Sequence, residues 1–203
     1  MPARKGAAAS TSRSATMPRS ATGLLRADHK RVKEIFDKWE NGRGRAKSAQ
    51  LMTMAIQELK VHAQIEEEIF YPAARAAMGE DDDLLNEADA EHHFAKFLIE
   101  EIEDGDLADP RIEAKFKVLA ENVKHHIREE EGELFPQVAD EDFNRAIAQE
   151  LWERKQQLTQ EMQGGGQGGR KSGRGRQQPM RAAAAGRGGR QRSARAARTG
   201  SAR

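Results

Sequence analysis

The chain carries the stretch VHAQIEEEIFYP at residues 61–72 and a related stretch, HHIREEEGELFP, at residues 125–136. Both contain a histidine, a glutamate four residues later, a second glutamate directly after it, and an aromatic residue followed by proline. Residues four positions apart share one face of an α-helix. Each stretch therefore presents an imidazole nitrogen and a carboxylate oxygen to one point beside its helix, which is half of a metal site.

The repeat extends upstream of these two stretches. An Asp-His dipeptide ends at His29, 33 residues before His62. A Glu-His dipeptide ends at His92, 34 residues before His126. Internal similarity of this kind outweighs any single motif, and it indicates two related helix pairs, each too thin to bury its own apolar face. The two half-sites predict a metal pair between the helix pairs.

The pattern of apolar residues predicts helices throughout residues 21–163, without alternating strands. Four of them are long and joined by short loops, which favours an all-α, up-down-up-down four-helix bundle. They are predicted at about 22–40, 48–77, 82–103 and 110–138, and an extra C-terminal helix at about 141–163. Pro72 and Pro136 fall late in the second and fourth helices, where the lost amide donor is expected to kink or end the helix.

The composition restricts the kind of metal site and the compartment. The chain has no cysteine, which excludes disulfides, thiolate zinc sites and iron–sulfur clusters, so a metal must be held by nitrogen and oxygen. No apolar stretch approaches membrane-spanning length, and residues 1–20 lack the apolar core of a secretory signal. We therefore expect a cytoplasmic protein without a membrane partner. Residues 1–20 predict a disordered basic arm, with a transit peptide as the alternative.

Charge divides the chain into three regions. The net charge of +1 combines an acidic body, residues 21–163 with −14, and two arms that contain no acid. Residues 164–203 carry eleven basic residues among Gly, Ala and Ser, which predicts a disordered tail. Such a tail fits nonspecific binding of DNA or RNA through counterion release. The alternatives are a solubilising tail and a segment that folds back onto the acidic body.

Two of the histidines have a histidine neighbour, so the ligands must be chosen. His125 and His93 each lie about 100° around the helix from the residue next to them. The repeat selects His126, which has the same spacing to glutamate and proline as its counterpart in the first stretch. It selects His92 through the match of the two acidic-His dipeptides. A single histidine on an amphipathic helix is usually an ordinary core or surface residue, but four at matched positions on apolar stripes indicate metal binding.

The glutamates next to the predicted ligands are expected to lie outside the metal site. Glu67 and Glu131 are expected to support the ligands from outside or to face solvent. Glu68, Glu129 and Glu133 are expected to form the solvated face of their helices. Only the glutamates four residues after a selected histidine are predicted to be ligands.

Together these residues resemble the hemerythrin-like (HHE cation-binding) domain of the bacterial type over about residues 22–140. The resemblance implies a left-handed four-helix bundle with a non-haem di-iron centre. It implies the ligands His29, His62, Glu66, His92, His126 and Glu130, with both glutamates bridging the irons. Respiratory hemerythrin has a second histidine one turn after its third-helix ligand, where this chain has Lys96, and its last ligand is aspartate rather than glutamate. These differences argue against reversible oxygen carriage.

Four imidazoles and two carboxylates suit iron, with manganese and zinc as alternatives. Six protein ligands for two ions leave coordination positions open. The sequence therefore predicts a di-iron protein that senses, binds or detoxifies O2, peroxide or nitric oxide. An enzyme with peroxide- or nitric-oxide-directed activity needs the same ligands and is not separated from it by sequence. A third hypothesis is a nucleic-acid-associated iron or oxidative-stress protein that uses residues 164–203.

Overall fold

The computed structural model describes residues 18–80 and 82–165, which are helical and contain no strand. The α-helices in this part of the chain are α1 (Ala21–Glu40), α2 (Arg45–Ile65), α3 (Tyr71–Met78), α4 (Asp83–Glu103), α5 (Pro110–Glu129), α6 (Phe135–Gln137) and α7 (Glu141–Gly165). Two π-helical stretches, Glu66–Phe70 and Glu130–Leu134, join α2 to α3 and α5 to α6.

Four long helices form the bundle that the sequence predicts. α1 packs along α2, and α4 packs along α5. Short connections force the neighbours to run antiparallel. The connection before α2 ends at Gly44, whose φ of +99° is a conformation that glycine adopts without strain. The fold is an all-α four-helix bundle with an extra C-terminal helix, which confirms the predicted fold class.

Side chains at the helix starts explain where the helices begin. Ser20 and Asp82 cap α1 and α4 by accepting hydrogen bonds from backbone amides of the first turn. Asp109 does the same for α5, and Pro110 occupies the first helical position, where no amide donor is needed. The fourth bundle helix thus begins at residue 110, where the sequence predicts its start.

The apolar core consists of two clusters, and the predicted site residues lie between them along the bundle. Fully buried side chains of the first cluster include Phe36, Met52 and Phe116. Those of the second cluster include Leu25, Phe70 and Leu151. Burial of each such side chain stabilises the fold by roughly 1.5–3 kcal/mol. On α1, for example, His29 lies between Leu25 of one cluster and Val32 of the other.

The two π-helical stretches occupy equivalent positions in the repeat. The amide of Tyr71 donates to the carbonyl of Glu66, and the amide of Phe135 donates to the carbonyl of Glu130. Each bond spans five residues instead of four, so each stretch inserts one extra residue into a helical turn. Both stretches begin at a predicted glutamate ligand. Periodicity gave no sign of them, and the helices predicted at 48–77 and 110–138 are interrupted here.

Each proline directly follows a π-helical turn. Helical structure continues past Pro72 to Met78, so of the two expected effects, a kink or a helix end, this proline does not end the helix. Helix α6, in contrast, ends at Gln137, one residue after Pro136. Both prolines stand in the first turn of the helix that follows the π-helical stretch, α3 or α6. A missing amide donor costs little there, because the first-turn amides of a helix have no hydrogen-bond partner within that helix.

Helix α7 packs across α1 and α2. Buried Asn144 near its start accepts hydrogen bonds from the amide and the hydroxyl of Thr22, at 3.0 and 2.8 Å. Further along, Lys155 pairs with Asp28 on α1, and Leu151 is fully buried. The extra helix therefore covers the α1–α2 side of the bundle.

The two terminal regions predicted from composition lie almost wholly outside the described residues, the arm before Pro18 and the tail after Gly165. Among the helices of residues 18–80 and 82–165, none has both the length and the apolar composition to cross a membrane.

Candidate metal centre

Six polar side chains meet in the middle of the bundle. They are the six selected from the sequence: His29, His62, Glu66, His92, His126 and Glu130. Each is at most 6 % exposed. Their donor atoms form two groups, and Glu66 belongs to both. The structure therefore brings the two half-sites of the sequence repeat face to face.

The first group joins the α1 and α2 histidines. The Nε2 atoms of His29 and His62 lie 3.0 Å apart. Glu130 Oε2 lies 3.1 Å from His29 Nε2, and Glu66 Oε1 lies 3.1 Å from His62 Nε2. Two imidazole nitrogens and two carboxylate oxygens thus face one point.

The second group repeats this arrangement on α4 and α5. The Nε2 atoms of His92 and His126 lie 3.2 Å apart. Glu66 turns its other oxygen, Oε2, to within 3.5 Å of His92 Nε2. Glu130 Oε2 lies 3.5 Å from His126 Nε2. Each glutamate therefore has an oxygen within 3.5 Å of an imidazole nitrogen in both groups.

A ring of outer carboxylates faces the second nitrogen of each imidazole. His29 Nδ1 lies 2.9 Å from Glu131, His92 Nδ1 lies 3.0 Å from Glu67, and His126 Nδ1 lies 2.8 Å from Glu91. The fourth pair is His62 and Asp28, at 3.7 Å, which is too long for a hydrogen bond. Asp28 has one methylene fewer than the glutamates and is also drawn to Lys155. Each of these carboxylates is the sequence neighbour of one candidate ligand and contacts the imidazole of another, which lies on a different helix.

These outer carboxylates explain how the centre presents its nitrogens. An Nδ1 atom that donates to a carboxylate carries the proton, so the Nε2 atom presents a lone pair. Lone pairs that face each other at 3.0 and 3.2 Å repel unless they share a proton or a cation. Imidazole nitrogens bind zinc, for example, at about 2.0–2.1 Å, so two of them around one tetrahedral ion lie about 3.3 Å apart.

The carboxylate oxygens fit a cation as well. Both oxygens of Glu66 and Oε2 of Glu130 are buried without a hydrogen-bond partner. Burial, followed by the nearby charge of Glu130, raises the pKa of Glu66 well above its usual range. For Glu130, burial opposes ionisation, but His126 and His29 outweigh it and lower its pKa. Burial also lowers the pKa of His62 to about 4. These buried carboxylate oxygens lie beside the imidazole nitrogens, where a bound cation would satisfy them.

The sequence of residues 20–138 matches the family described as the hemerythrin HHE cation-binding domain. The chain belongs to this family. The match confirms the resemblance predicted over about residues 22–140, and it establishes a cation-binding domain as the main part of the chain.

Two known proteins are similar to this HHE domain. A DNA nickase from a Nostoc species is 30% identical over 112 residues, which are 55% of this chain and 31% of that protein. The chain thus spans about a third of that relative's length. A crystal structure of an HHE cation-binding domain-containing protein from Mycobacterium kansasii shares the fold, with a TM-score of 0.62 and 21% identity. The likeness covers 74% of this chain and 94% of that one.

Two lysines support the outer ring of the HHE centre. Lys33 lies 3.4 Å from the Glu131 carboxylate, and Lys96 pairs with Glu67. The two lysines occupy equivalent positions in the repeat. Glu67 and Glu131 therefore each join an imidazole to a lysine, and Lys96, noted in the sequence for replacing a histidine, has a contact of its own.

The structure separates each histidine from its neighbour. His92 and His126 are buried in the centre, whereas His93 and His125 are exposed. Glu129, expected on the solvated face, lies 3.0 Å from His125 at the surface of α5. The repeat alignment thus picks the histidine that faces the bundle interior at both positions.

Sequence reasoning missed Tyr71. Its buried hydroxyl lies 2.9 Å from Glu130 Oε1, to which it donates, and 3.2 Å from His92 Nε2. At about 100° per residue, Tyr71 would point about 140° away from Glu66 in a regular α-helix. The extra residue of the π turn reduces this angle to about 40°. The equivalent residue, Phe135, stacks on His29 at 5.7 Å, so only one half carries the hydroxyl.

A cavity of about 440 Å³ adjoins the four imidazoles and is lined by all four bundle helices. Its apolar walls are formed by Val32, Leu59, Ala95, Ile99, Val123 and Ile127. Lys60 and Lys96 also line it. The centre therefore adjoins a space that admits small molecules.

Proposed function

We propose that this chain binds two iron ions at the six side chains and uses them to sense, bind or detoxify O2, peroxide or nitric oxide. The observation that carries the proposal is the pair of donor groups that share Glu66. One ion would be held by the imidazoles of α1 and α2 and the other by those of α4 and α5, with Glu66 and Glu130 as the carboxylate ligands. Membership in a cation-binding family supports the proposal.

The donor set supports iron over most other metals. Calcium and magnesium prefer sites made of oxygen, and this centre offers one imidazole pair in each group. Mixed imidazole and carboxylate ligands suit iron and manganese, with zinc as a further alternative. Of these three metals zinc has no redox chemistry, so a reaction with a gas or a peroxide leaves iron or manganese, and we assign iron.

The surroundings of the centre support a small ligand. Two imidazoles and the shared carboxylates leave positions open at an ion that prefers six ligands. The cavity beside the imidazoles is large enough for a diatomic gas or a peroxide, and its apolar walls favour uncharged molecules.

Iron would supply electrons to a bound molecule, and the protein would hold the carboxylate ligands in place. Tyr71 holds its hydroxyl between Glu130 and His92. Burial, followed by the charges of Glu130 and Glu66, raises the pKa of Tyr71 well above its usual range. The hydroxyl therefore keeps its proton at neutral pH and donates a hydrogen bond to Glu130. In this proposal Tyr71 orients a carboxylate that would hold the ions.

The test is anaerobic reconstitution of the full-length chain with Fe(II). Metal analysis should give two irons per chain, and optical and Mössbauer spectra should change on exposure to O2, peroxide or nitric oxide. His92→Ala should lose iron, whereas the matched variant His93→Ala should retain both ions because its side chain is exposed. Two irons that respond to none of the three molecules would exclude the proposed function while leaving the metal site intact.

A nucleic-acid role is the second candidate. It is supported by the eleven basic residues of residues 164–203 and by similarity to a protein named a DNA nickase. The relative's printed name describes that protein, and this chain matches only a third of it. In this proposal the tail holds an iron centre that responds to oxidants near DNA or RNA.

The tail hypothesis is tested with a chain that ends at Gly165. This chain should keep its helical content and its two irons, because every proposed ligand precedes residue 131. It should lose nonspecific DNA affinity, which in the full-length chain should fall by orders of magnitude between low and physiological salt. The acidic body should repel DNA, so affinity that survives truncation or ignores salt would exclude this role.

A further inference from the structure

We propose that Glu91, His125 and Glu129 form an outer cation site through which divalent ions enter the buried centre. The inference rests on the proposed function, since it assumes that the centre is filled by metal. It adds a third, weaker site that the HHE ligand pattern does not contain. The following contacts support it.

The three side chains offer a metal-like donor set at the surface. His125 Nε2 lies 3.0 Å from Glu129 and 3.8 Å from Glu91 Oε1. One donor atom from each of the three residues lies within 4.8 Å of the others. Side-chain exposure falls from 49% at His125 through 28% at Glu129 to 14% at Glu91. An ion that arrives from solvent therefore meets the donors in order of increasing burial.

Glu91 connects the outer site to the centre. While Oε1 faces His125, Oε2 accepts a hydrogen bond from His126 Nδ1 at 2.8 Å. The same carboxylate thus belongs to the outer site and orients an imidazole of the inner one. One side chain separates the two positions.

A small void lies between two of the outer-site residues and two ligands of the centre. It has a volume of about 10 Å³ and is lined by Glu87, Glu91 and Glu129 on the outside and by His126 and Glu130 on the inside. That volume is about the smallest that holds one water molecule. Glu130, whose Oε2 is buried without a hydrogen-bond partner, belongs to the inner wall. The void thus lies between residues of the outer site and ligands of the centre.

The other half of the repeat lacks these groups. The positions equivalent to His125, Glu129 and Glu87 are Val61, Ile65 and Leu24. All three are buried, and α7 packs on the helices that carry them. In the described residues, His125, Glu129 and Glu87 therefore have counterparts of the same chemistry in neither α1 nor α2. The carboxylate next to the imidazole is present in both halves, so it does not depend on these three residues.

An ordinary surface ion pair is the competing explanation. His125 and Glu129 are four residues apart on α5, and such pairs contribute little to stability. Arg128 also lies 3.4 Å from His125 Nδ1, an exposed contact that must break if Nδ1 carries the proton while Nε2 binds an ion. An ion pair of this kind predicts no third metal and no effect on the filling of the centre.

The experiment uses full-length, metal-free protein and Co(II), whose visible absorbance reports binding. Titration should give two tight ions and one weaker ion per chain. The double variant His125→Ala/Glu129→Gln should lose the weaker ion and keep the two tight ones. In stopped-flow mixing, its centre should fill about tenfold more slowly, because the acidic entrance no longer concentrates cations.

A matched control removes the same residue types from exposed positions outside the outer site, His93→Ala/Glu133→Gln. This control should bind three ions and fill at the rate of the unchanged chain. Equal filling rates in the two double variants would overturn the entry route, as would a third ion that persists without His125 and Glu129. Failure of the unchanged chain to bind any tight ion would instead refute the proposed function.

Discussion

The α1–α2 half and the α4–α5 half of the bundle carry the same inner groups but meet different surroundings. In the first half, Val61 and Ile65 are buried, and Lys155 of α7 pairs with Asp28. In the second half, the equivalent positions are His125 and Glu129, which reach solvent. The candidate ligands are the same in both halves because the two halves form one centre. The residues outside the ligands differ because α7 covers one half and solvent meets the other.

The difference also changes the hydrogen bonds to the imidazoles. The ring contact of the covered half, His62 to Asp28, is 3.7 Å long. That of the open half, His126 to Glu91, is 2.8 Å long. The contact formed within the half that α7 covers is thus longer than the contact formed within the half that faces solvent.

The largest effect should come from removing one imidazole in each half. His62→Ala and His126→Ala should each leave at most one iron per chain, and the double variant should bind none, because each ion loses a nitrogen donor. Metal analysis after anaerobic loading with Fe(II) measures this. A double variant that still holds two irons would refute the ligand assignment in both halves.

Exchanging equivalent outer residues between the halves should change stability more in the half that α7 covers than in the half that faces solvent. Ile65→Glu places an unpaired carboxylate at a position that is 0% exposed, and it should lower the free energy of unfolding by about 3–5 kcal/mol. The reciprocal change, Glu129→Ile, lies at the partly exposed surface and should alter it by no more than about 0.5 kcal/mol. Urea denaturation of the metal-free chain compares them. Similar losses in both variants would show that the two faces are equally covered.

The smallest effect should distinguish the two ring contacts. Glu91→Gln removes the carboxylate partner of His126 and should weaken metal binding about 10–100-fold, the usual effect of losing such a partner. Asp28→Asn should weaken it by less, since its 3.7 Å separation from His62 forms no hydrogen bond. Competition with a chelator at equilibrium gives both affinities. An equal or larger effect at Asp28 would contradict the ranking.

The fold and the set of six residues in the centre could be predicted from the sequence because both depend on regular helix geometry. A spacing of four places His62 and Glu66 on one face, and the repeat then identifies the matching groups on the other helices. Even the choice of His92 over His93 followed from the repeat, and the structure buries the first and exposes the second.

What the sequence did not predict depends on local departures from that geometry and on packing between distant segments. Tyr71 reaches the centre through a π turn, which a constant period of 3.6 cannot reveal. The one available signal was that Tyr71 and Phe135 occupy equivalent positions of the repeat, and only Tyr71 has a hydroxyl. Likewise, α7 was predicted as a helix, but no pattern indicated that it packs against α1 and α2 rather than α4 and α5.

The ring of outer carboxylates has a consequence for the order in which the centre forms. The contacts of His92 with Glu67 and of His126 with Glu91 span 25 and 35 residues. The contact of His29 with Glu131 spans 102 residues. Short loops close at lower entropic cost than long ones, so local helix pairs are expected to form before the long closure. The first ligand in the chain is thus among the last to be fixed, and a growing chain completes its metal site only after the end of α5 has returned to α1.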